Sequence, residues 1–114
     1  SGEDVVSDFD SLICGGMVYV WDTGGRIAGM IRSNLADGRF VHAGGLYVLP
    51  DERGRGVGRG LALGLAREVE RVQGAVALLD CDARNDSALR AYRAAGYRKV
   101  GEGLEVHFPE EAWR

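Results

Sequence analysis

The apolar residues of the chain fall into two rhythms. Met17, Tyr19 and Trp21 occupy one side of a period-two pattern and Val18 and Val20 the other. This predicts a strand near Met17–Asp22, opened by Gly15-Gly16. Thr23-Gly24-Gly25 reads as a turn, Arg26–Ser33 as a second strand, and Asp37-Gly38 as a hairpin signal before a third strand over Arg39–Leu49. Gly44-Gly45 lies inside that third strand, where paired glycines mark a bulge or the close approach of another group. After Pro50 the rhythm changes. Val57, Leu61, Leu65, Val69 and Val72 recur at helical spacing, so Gly56–Gln73 is an amphipathic helix with Gly74 as its C-cap. Ala75–Cys81 is a nearly continuous apolar run suited to a strand buried on both faces. Asn85-Asp86-Ser87 offers N-caps for a short helix reaching Ala95, which Gly96 stops, and strands at Tyr97–Val100 and Leu104–Phe108 finish the chain. Residues 1–16 read as a polar lead-in with helical or strand character around Val5–Ile13.

The predicted order is three strands, helix, strand, helix, two strands. A strand–helix–strand unit over residues 39–81 requires a crossover and hence a parallel pair, whereas the hairpins are antiparallel. The expected class is α/β of the α+β kind: a mixed, mostly antiparallel sheet with one parallel pair and a central helix. The 114 residues suit one domain, 1–114, with no repeat, linker or low-complexity tract.

Composition changes this picture in three respects. Apolar residues make up 46% and charged residues 27%, which excludes bulk disorder, and no run of eighteen apolar residues provides a membrane span. Cys14 and Cys81 have neither metal-site nor redox-motif spacing, so no metal is expected and a reducing, cytoplasmic setting is the default. The net charge of -3 conceals an asymmetry: residues 1–52 carry 8 acids and 3 bases, residues 53–114 carry 9 acids and 11 bases. Arg53, Arg55 and Arg59 fall within seven residues. A local cationic spot in an acidic chain points to a small anionic ligand rather than to nucleic acid.

That spot is the segment Val48-Leu49-Pro50-Asp51-Glu52-Arg53-Gly54-Arg55-Gly56-Val57-Gly58-Arg59-Gly60-Leu61. It joins a strand to a helix N-terminus, where unpaired N–H groups and the helix dipole favour an anion, and its glycines let the backbone close around a phosphate. The dinucleotide pattern G-x-G-x-x-G fails in both frames, because position six is Arg59 counted from Gly54 and Leu61 counted from Gly56. No Gly-Lys-Ser/Thr ending is present, so NAD and ATP are both disfavoured. What fits is R-x-x-G-x-G over Arg53–Gly58, between a strand with Pro and an amphipathic helix.

Here the chain resembles the GNAT superfamily of acetyl-CoA-dependent N-acetyltransferases, whose signature is Gln/Arg-x-x-Gly-x-Gly/Ala at the start of the central helix. Asn85, Ala88, Leu89, Tyr92, Gly96 and Tyr97 are similar to the family's second block, and the resemblance covers about residues 16–108. It implies a sheet whose strand before the loop splays from the strand after the helix, opening a cleft for pantetheine. The backbone of Leu46 and Val48 would pair with the pantetheine arm, the amides of Gly54, Gly56, Gly58 and Arg59 would hold the pyrophosphate, Arg53 and Arg55 would add charge, and Asn85 would cap its helix and touch the cofactor. It also implies direct attack of an amine on acetyl-CoA in a ternary complex, with the Val48 N–H as oxyanion donor and Tyr92 as general acid.

Two departures from the family accompany the likeness. The Glu that relatives often carry near Gly44 or Gly45 is missing, which leaves His42, Asp80, Asp82 or a water chain as the base. With only about sixteen residues before Met17, much of the N-terminal wall of the acceptor site is also missing. A longer or tandem-domain chain, or a homodimer, would complete it, and apolar edge positions near Met17–Trp21 and Ile27–Ile31 are expected to lie exposed. The competing reading is a non-catalytic acyl-CoA-binding sensor. The expected acceptor is a small-molecule or peptide amine, with no nucleic-acid or membrane partner.

Overall fold

The computed structural model describes residues 12–15, 18–34, 38–82 and 84–107. Seven strands form one sheet: β1 (Leu12–Gly15), β2 (Val18–Thr23), β3 (Arg26–Ser33), β4 (Phe40–Val48), β5 (Val76–Asp80), β6 (Tyr97–Gly101) and β7 (Leu104–His107), in the spatial order β1-β2-β3-β4-β5-β7-β6. Among the described residues two α-helices pack on it, α1 (Val57–Gln73) and α2 (Asp86–Ala94). Every neighbouring pair is antiparallel except β4 with β5, the parallel pair that the crossover through α1 demands.

One strand was not legible in the sequence. Leu12–Gly15 pairs antiparallel with β2, Leu12 opposite Trp21 and Gly15 opposite Val18. The rest of the segment around Val5–Ile13 lies outside the described residues, as does the predicted strand end at Phe108. Strand β1 also changes the expectation about exposed edges. Because β2 is paired on both sides it is not an edge, and Tyr19, Trp21, Ala28 and Ile31 are buried. Of the positions named, Ile27 is the large apolar one left exposed, and Met17 is outside the described residues.

The helical rhythm translates directly into packing. Val57, Leu61, Leu65 and Val69 are all buried against the sheet, while Val72, the fifth of the series, is exposed in the last turn. Gly74 ends α1 in the left-handed conformation at φ 61°, and its N–H closes on the Glu70 carbonyl at 3.0 Å. The helix lies close because of glycine. A Cβ on Gly60 would sit 3.0 Å from the Trp21 ring, and one on Gly29 would sit 2.8 Å from the Tyr47 carbonyl oxygen and 3.1 Å from Leu61 and Val57.

Tyr19, Trp21, Ile31, Val41, Ala77 and Leu79 form one buried cluster with α1 and with Ala88 and Tyr92 of α2. Both helices therefore cover the same face of the sheet. Burial along β5 reflects this and departs from the two-sided expectation. Ala77 and Leu79 are buried, Val76 and Leu78 are half-buried, and Asp80 is exposed. Among the described residues no helix covers the opposite face, and there a strand that reads as continuously apolar is shielded more on the helix side than on the other.

Candidate functional site

The site originates in a single extra residue. Met30 of β3 pairs with Tyr47 but Arg32 pairs with Gly44, so β4 carries one residue more than its partner, with Gly45 at φ 67°. Such a bulge shifts the alternation of a strand by one. Before it, Val41 and Ala43 turn to the helices; after it, Leu46 and Val48 do so and Tyr47 faces solvent. Pairing with β5 stops at the same place. It runs from Phe40 opposite Val76 to Ala43 opposite Leu79 and no further, so β4 and β5 part beyond Ala43.

Main-chain directions follow from the same alternation. The Leu49 N–H donates to the Ala28 carbonyl of β3 at 2.9 Å, so the groups of Val48 and Leu46 point the other way, into the fork. The Arg53 Nε donates to the Val48 carbonyl there at 3.0 Å. The fork opens into a cleft of about 570 Å³ on the helix side, with Leu46 and Val48 as one wall, Gly54, Gly56, Gly58 and Arg59 at its base, and Asn85, Ala88 and Ala91 of α2 opposite. Gly54 and Gly56 hold φ of 79° and 83°, the left-handed region, and Gly56 is the N-cap of α1 with no side-chain cap, leaving the first amides of a 17-residue helix facing the cleft.

The charges sort themselves. A 3-10 turn at Pro50–Glu52 presents Asp51 and Glu52 to Arg26, whose guanidinium meets both Asp51 oxygens at 2.9 Å and Glu52 at 3.4 Å. The Arg26 hydrogen bond holds the Asp51 carboxyl below its ordinary value. Arg55 turns to the buried Glu52 at 3.5 Å and does not line the cleft, whereas Arg53, Arg59 and Arg90 do. Arg53 also lies over the Tyr47 ring at 5.8 Å. The cationic spot read from Arg53, Arg55 and Arg59 is therefore built from Arg53, Arg59 and Arg90. Arg90, on α2 and 31 residues beyond Arg59, carried no local signal.

Asn85 accepts a hydrogen bond from the Ala88 N–H at 3.2 Å, capping α2, and it lines the cleft as well. Tyr92 does not line the cleft. It is 2% exposed, tilted against Tyr97 with ring centroids 5.9 Å apart. Burial, with a smaller push from the neighbouring Cys81 thiol, raises its phenol far above the ordinary tyrosine range. Cys81 follows β5 at the mouth of the fork and is buried, as expected of a small apolar residue. Its thiol is pushed up by burial and by the carboxylates of Glu105 and Asp82. Tyr97 donates from its hydroxyl to the Ala62 carbonyl at 2.8 Å, tying α1 to β6.

A second cavity, of about 500 Å³, opens on the uncovered face of the sheet at the same fork. Arg32, Asn34, His42, Gly44, Gly45 and Asp80 are among the residues lining it. The base candidates thus divide. His42 and Asp80 come together here, whereas Asp82 is held by Arg84 at 3.0 Å and lies outside both cavities. Gly44 abuts Asp80 directly: a Cβ there would sit 3.4 Å from the Asp80 carbonyl oxygen and 4.0 Å from its Cβ.

The model of the acetyltransferase (GNAT) family matches residues 3–97, which include the bulge, the fork, the glycine loop and both helices. The chain belongs to the GNAT acetyltransferase family. No curated protein matches it in sequence. Among solved structures the GNAT fold recurs in the aminoglycoside acetyltransferase AAC(6')-Ib bound to paromomycin and acetyl-CoA, at 17% identity and a TM-score of 0.71, covering 85% of this chain and 67% of that one. The spermidine N-acetyltransferase of Vibrio cholerae with CoA and spermine follows at 16% identity and a TM-score of 0.63, covering 78% and 60%. An N-acetyltransferase from Staphylococcus aureus Mu50 matches at 17% and 0.58, covering 80% and 67%. The chain spans about two thirds of the length of these GNAT proteins. Among its described residues no helix is long and apolar enough to cross a membrane, and no cluster of three or more His, Cys, Asp or Glu could hold a metal.

Proposed function

We propose that this GNAT domain transfers the acetyl group of acetyl-CoA to a primary amine within a ternary complex. One observation carries the reading: two cavities on opposite faces of the sheet flank the point where β4 and β5 part, one lined by Leu46 and the other by its neighbour Gly45. One offers a glycine loop, three guanidinium groups and a main-chain edge not paired with β5; the other offers His42 and Asp80. The residues fit the co-substrate. The outward main-chain groups of Leu46 and Val48 suit the amides of a pantetheine arm, and the amides of Gly54, Gly56, Gly58 and Arg59 with Arg53 and Arg90 suit a pyrophosphate. When bound, acetyl-CoA supplies the activated acetyl group, and an amide and the free CoA thiol are the products.

The chain's own groups then take three roles. The Val48 N–H is a fixed donor for a carbonyl oxygen at the fork, oriented before any ligand arrives. Tyr92, which the family resemblance makes the proton donor to the departing thiolate, is buried beside Cys81 and outside the lining of the cleft, so we assign it this role on the family pattern rather than on contact with the cleft. His42 and Asp80 are the groups positioned to take the proton from the amine. Calorimetry with CoA, NAD and ATP, followed by a thiol-release assay with acetyl-CoA and a panel of amines, tests this. CoA binding and acetyl transfer are expected. Tight NAD or ATP binding without CoA binding overturns the reading, and CoA binding with no transfer to any amine makes the domain an acyl-CoA sensor instead.

A further inference from the structure

The uncovered face of the sheet carries an unusual row at the fork. Arg32 of β3 is opposite Gly44 of β4, and Gly44 abuts Asp80 of β5. Two strand spacings separate the outer residues, about 10 Å between their backbones. The middle of the row has no side chain. A cation and an anion therefore flank an open gap, and all three residues line the same cavity of about 500 Å³. Arg32 and Asp80 are both exposed, and among the described residues neither has an ion-pair or hydrogen-bond partner through its side chain. Asn34 stands at the Arg32 end and His42 between the two ends on β4, which gives each side a further polar group.

We propose that the acceptor held in this cavity is an amine that also carries a carboxylate, of the amino-acid class, with its carboxylate on Arg32 and its amine at Asp80 and His42. The proposal rests on the acetyltransferase reading above and specifies the acceptor of that reaction. Charge matching selects this class. A ligand carrying both signs satisfies both groups at once, and the planar guanidinium donates two parallel hydrogen bonds to a carboxylate. A polyamine or aminoglycoside presents several ammonium groups. Among the described residues Asp80 is the single carboxylate lining the cavity, so the remaining ammonium groups would lie near Arg32, and like charges brought together select against that partner. The gap at Gly44 lets the amine approach the point where β4 and β5 part, so that specificity and reaction use the same opening.

The test uses the whole chain. Binding of free amino acids and of their methyl esters to the protein with CoA is followed by ligand-observed NMR. Acetyl transfer to the same compounds, and to spermine and kanamycin, is followed by thiol release. Free acids are expected to bind, and to exceed their esters in kcat/KM about tenfold or more, the scale of a hydrogen bond to a charged group. Arg32→Ala is expected to erase the preference for acid over ester, and Arg32→Lys to restore part of it. Equal use of acids and esters, or faster transfer to spermine or kanamycin, overturns the proposal while leaving the acetyltransferase reading intact. Failure to bind CoA, or transfer to no amine, overturns both.

Discussion

Gly58 separates the cofactor cleft from the fold more cleanly than any other glycine of the loop. It lies in the first turn of α1 with ordinary helical backbone, so a side chain there meets no conformational penalty. A Cβ would sit 3.3 Å from the Ala91 Cβ, 3.5 Å from Leu46 Cδ2 and 3.7 Å from Val48 Cγ2, all three belonging to residues that line the cleft. For Gly58→Ala two terms nearly cancel in stability. The helix gains roughly 0.5–1 kcal/mol from losing a glycine, and the tight contact with Ala91 removes part of that gain. Ligand affinity has no such compensation, because the added methyl group stands at the floor where the pantetheine arm would run. An overpacked contact costs about 1–3 kcal/mol, which is roughly 5- to 150-fold in Kd. Gly56→Ala is the contrasting change. At φ 83° it forces an L side chain into the left-handed region, for about 1–2 kcal/mol of stability, or some 4–8 °C in Tm per kcal/mol for a domain near this size. Calorimetric titration with CoA and thermal unfolding of both variants decide the matter. Gly58→Ala should lose affinity with Tm nearly unchanged, and Gly56→Ala should lose Tm. A Gly58→Ala protein that binds CoA within twofold of the parent would refute the placement of the cofactor.

Tyr92→Phe should keep the packing and the CoA affinity but lower turnover by roughly 10²-fold, the scale of a positioned general acid; an unchanged rate with transfer limiting would make Tyr92 a core residue alone. Gly29→Ala should destabilise by about 1–3 kcal/mol, because its Cβ would fall 2.8 Å from the Tyr47 carbonyl oxygen, against backbone that cannot swing aside; urea unfolding with a midpoint equal to the parent's would contradict this. Burial raises the Tyr92 and Tyr97 phenols, so the folded state retains protons that the unfolded chain releases above about pH 10. Stability is then full below pH 10 and falls above it, by up to about 1.4 kcal/mol per pH unit for each tyrosine. Tyr92→Phe should reduce that slope in urea titrations between pH 9 and 11.5, leaving the part due to Tyr97 and to the raised Cys81 thiol, and a flat profile would show that neither ring is buried as described.

Local chemistry was sufficient for much of this protein. Period-two and helical rhythms, one continuous apolar run and the cap and turn residues located six of the seven strands and both helices, because each of these signals is written locally into the sequence. Leu12–Gly15 escaped because a four-residue strand is too short to establish a period, and only its pairing with β2 makes it a strand. The R-x-x-G-x-G loop was legible for a similar reason: left-handed backbone and open amides require glycine at fixed spacing. Gly44-Gly45 announced a bulge but not its consequence, since the reset that turns Leu46 and Val48 toward the helices depends on the register with β3. Tertiary structure alone decided which charges remain available. Arg55 and Arg26 are drawn to Glu52, while Arg90, distant in sequence, reaches the cleft. It also separated the base candidates in space, placing His42 and Asp80 in one cavity and leaving Asp82 with Arg84. Spacing along the chain specifies what a segment can form by itself, whereas the partner of an arginine or a carboxylate is set by whichever strand or helix the fold lays alongside it.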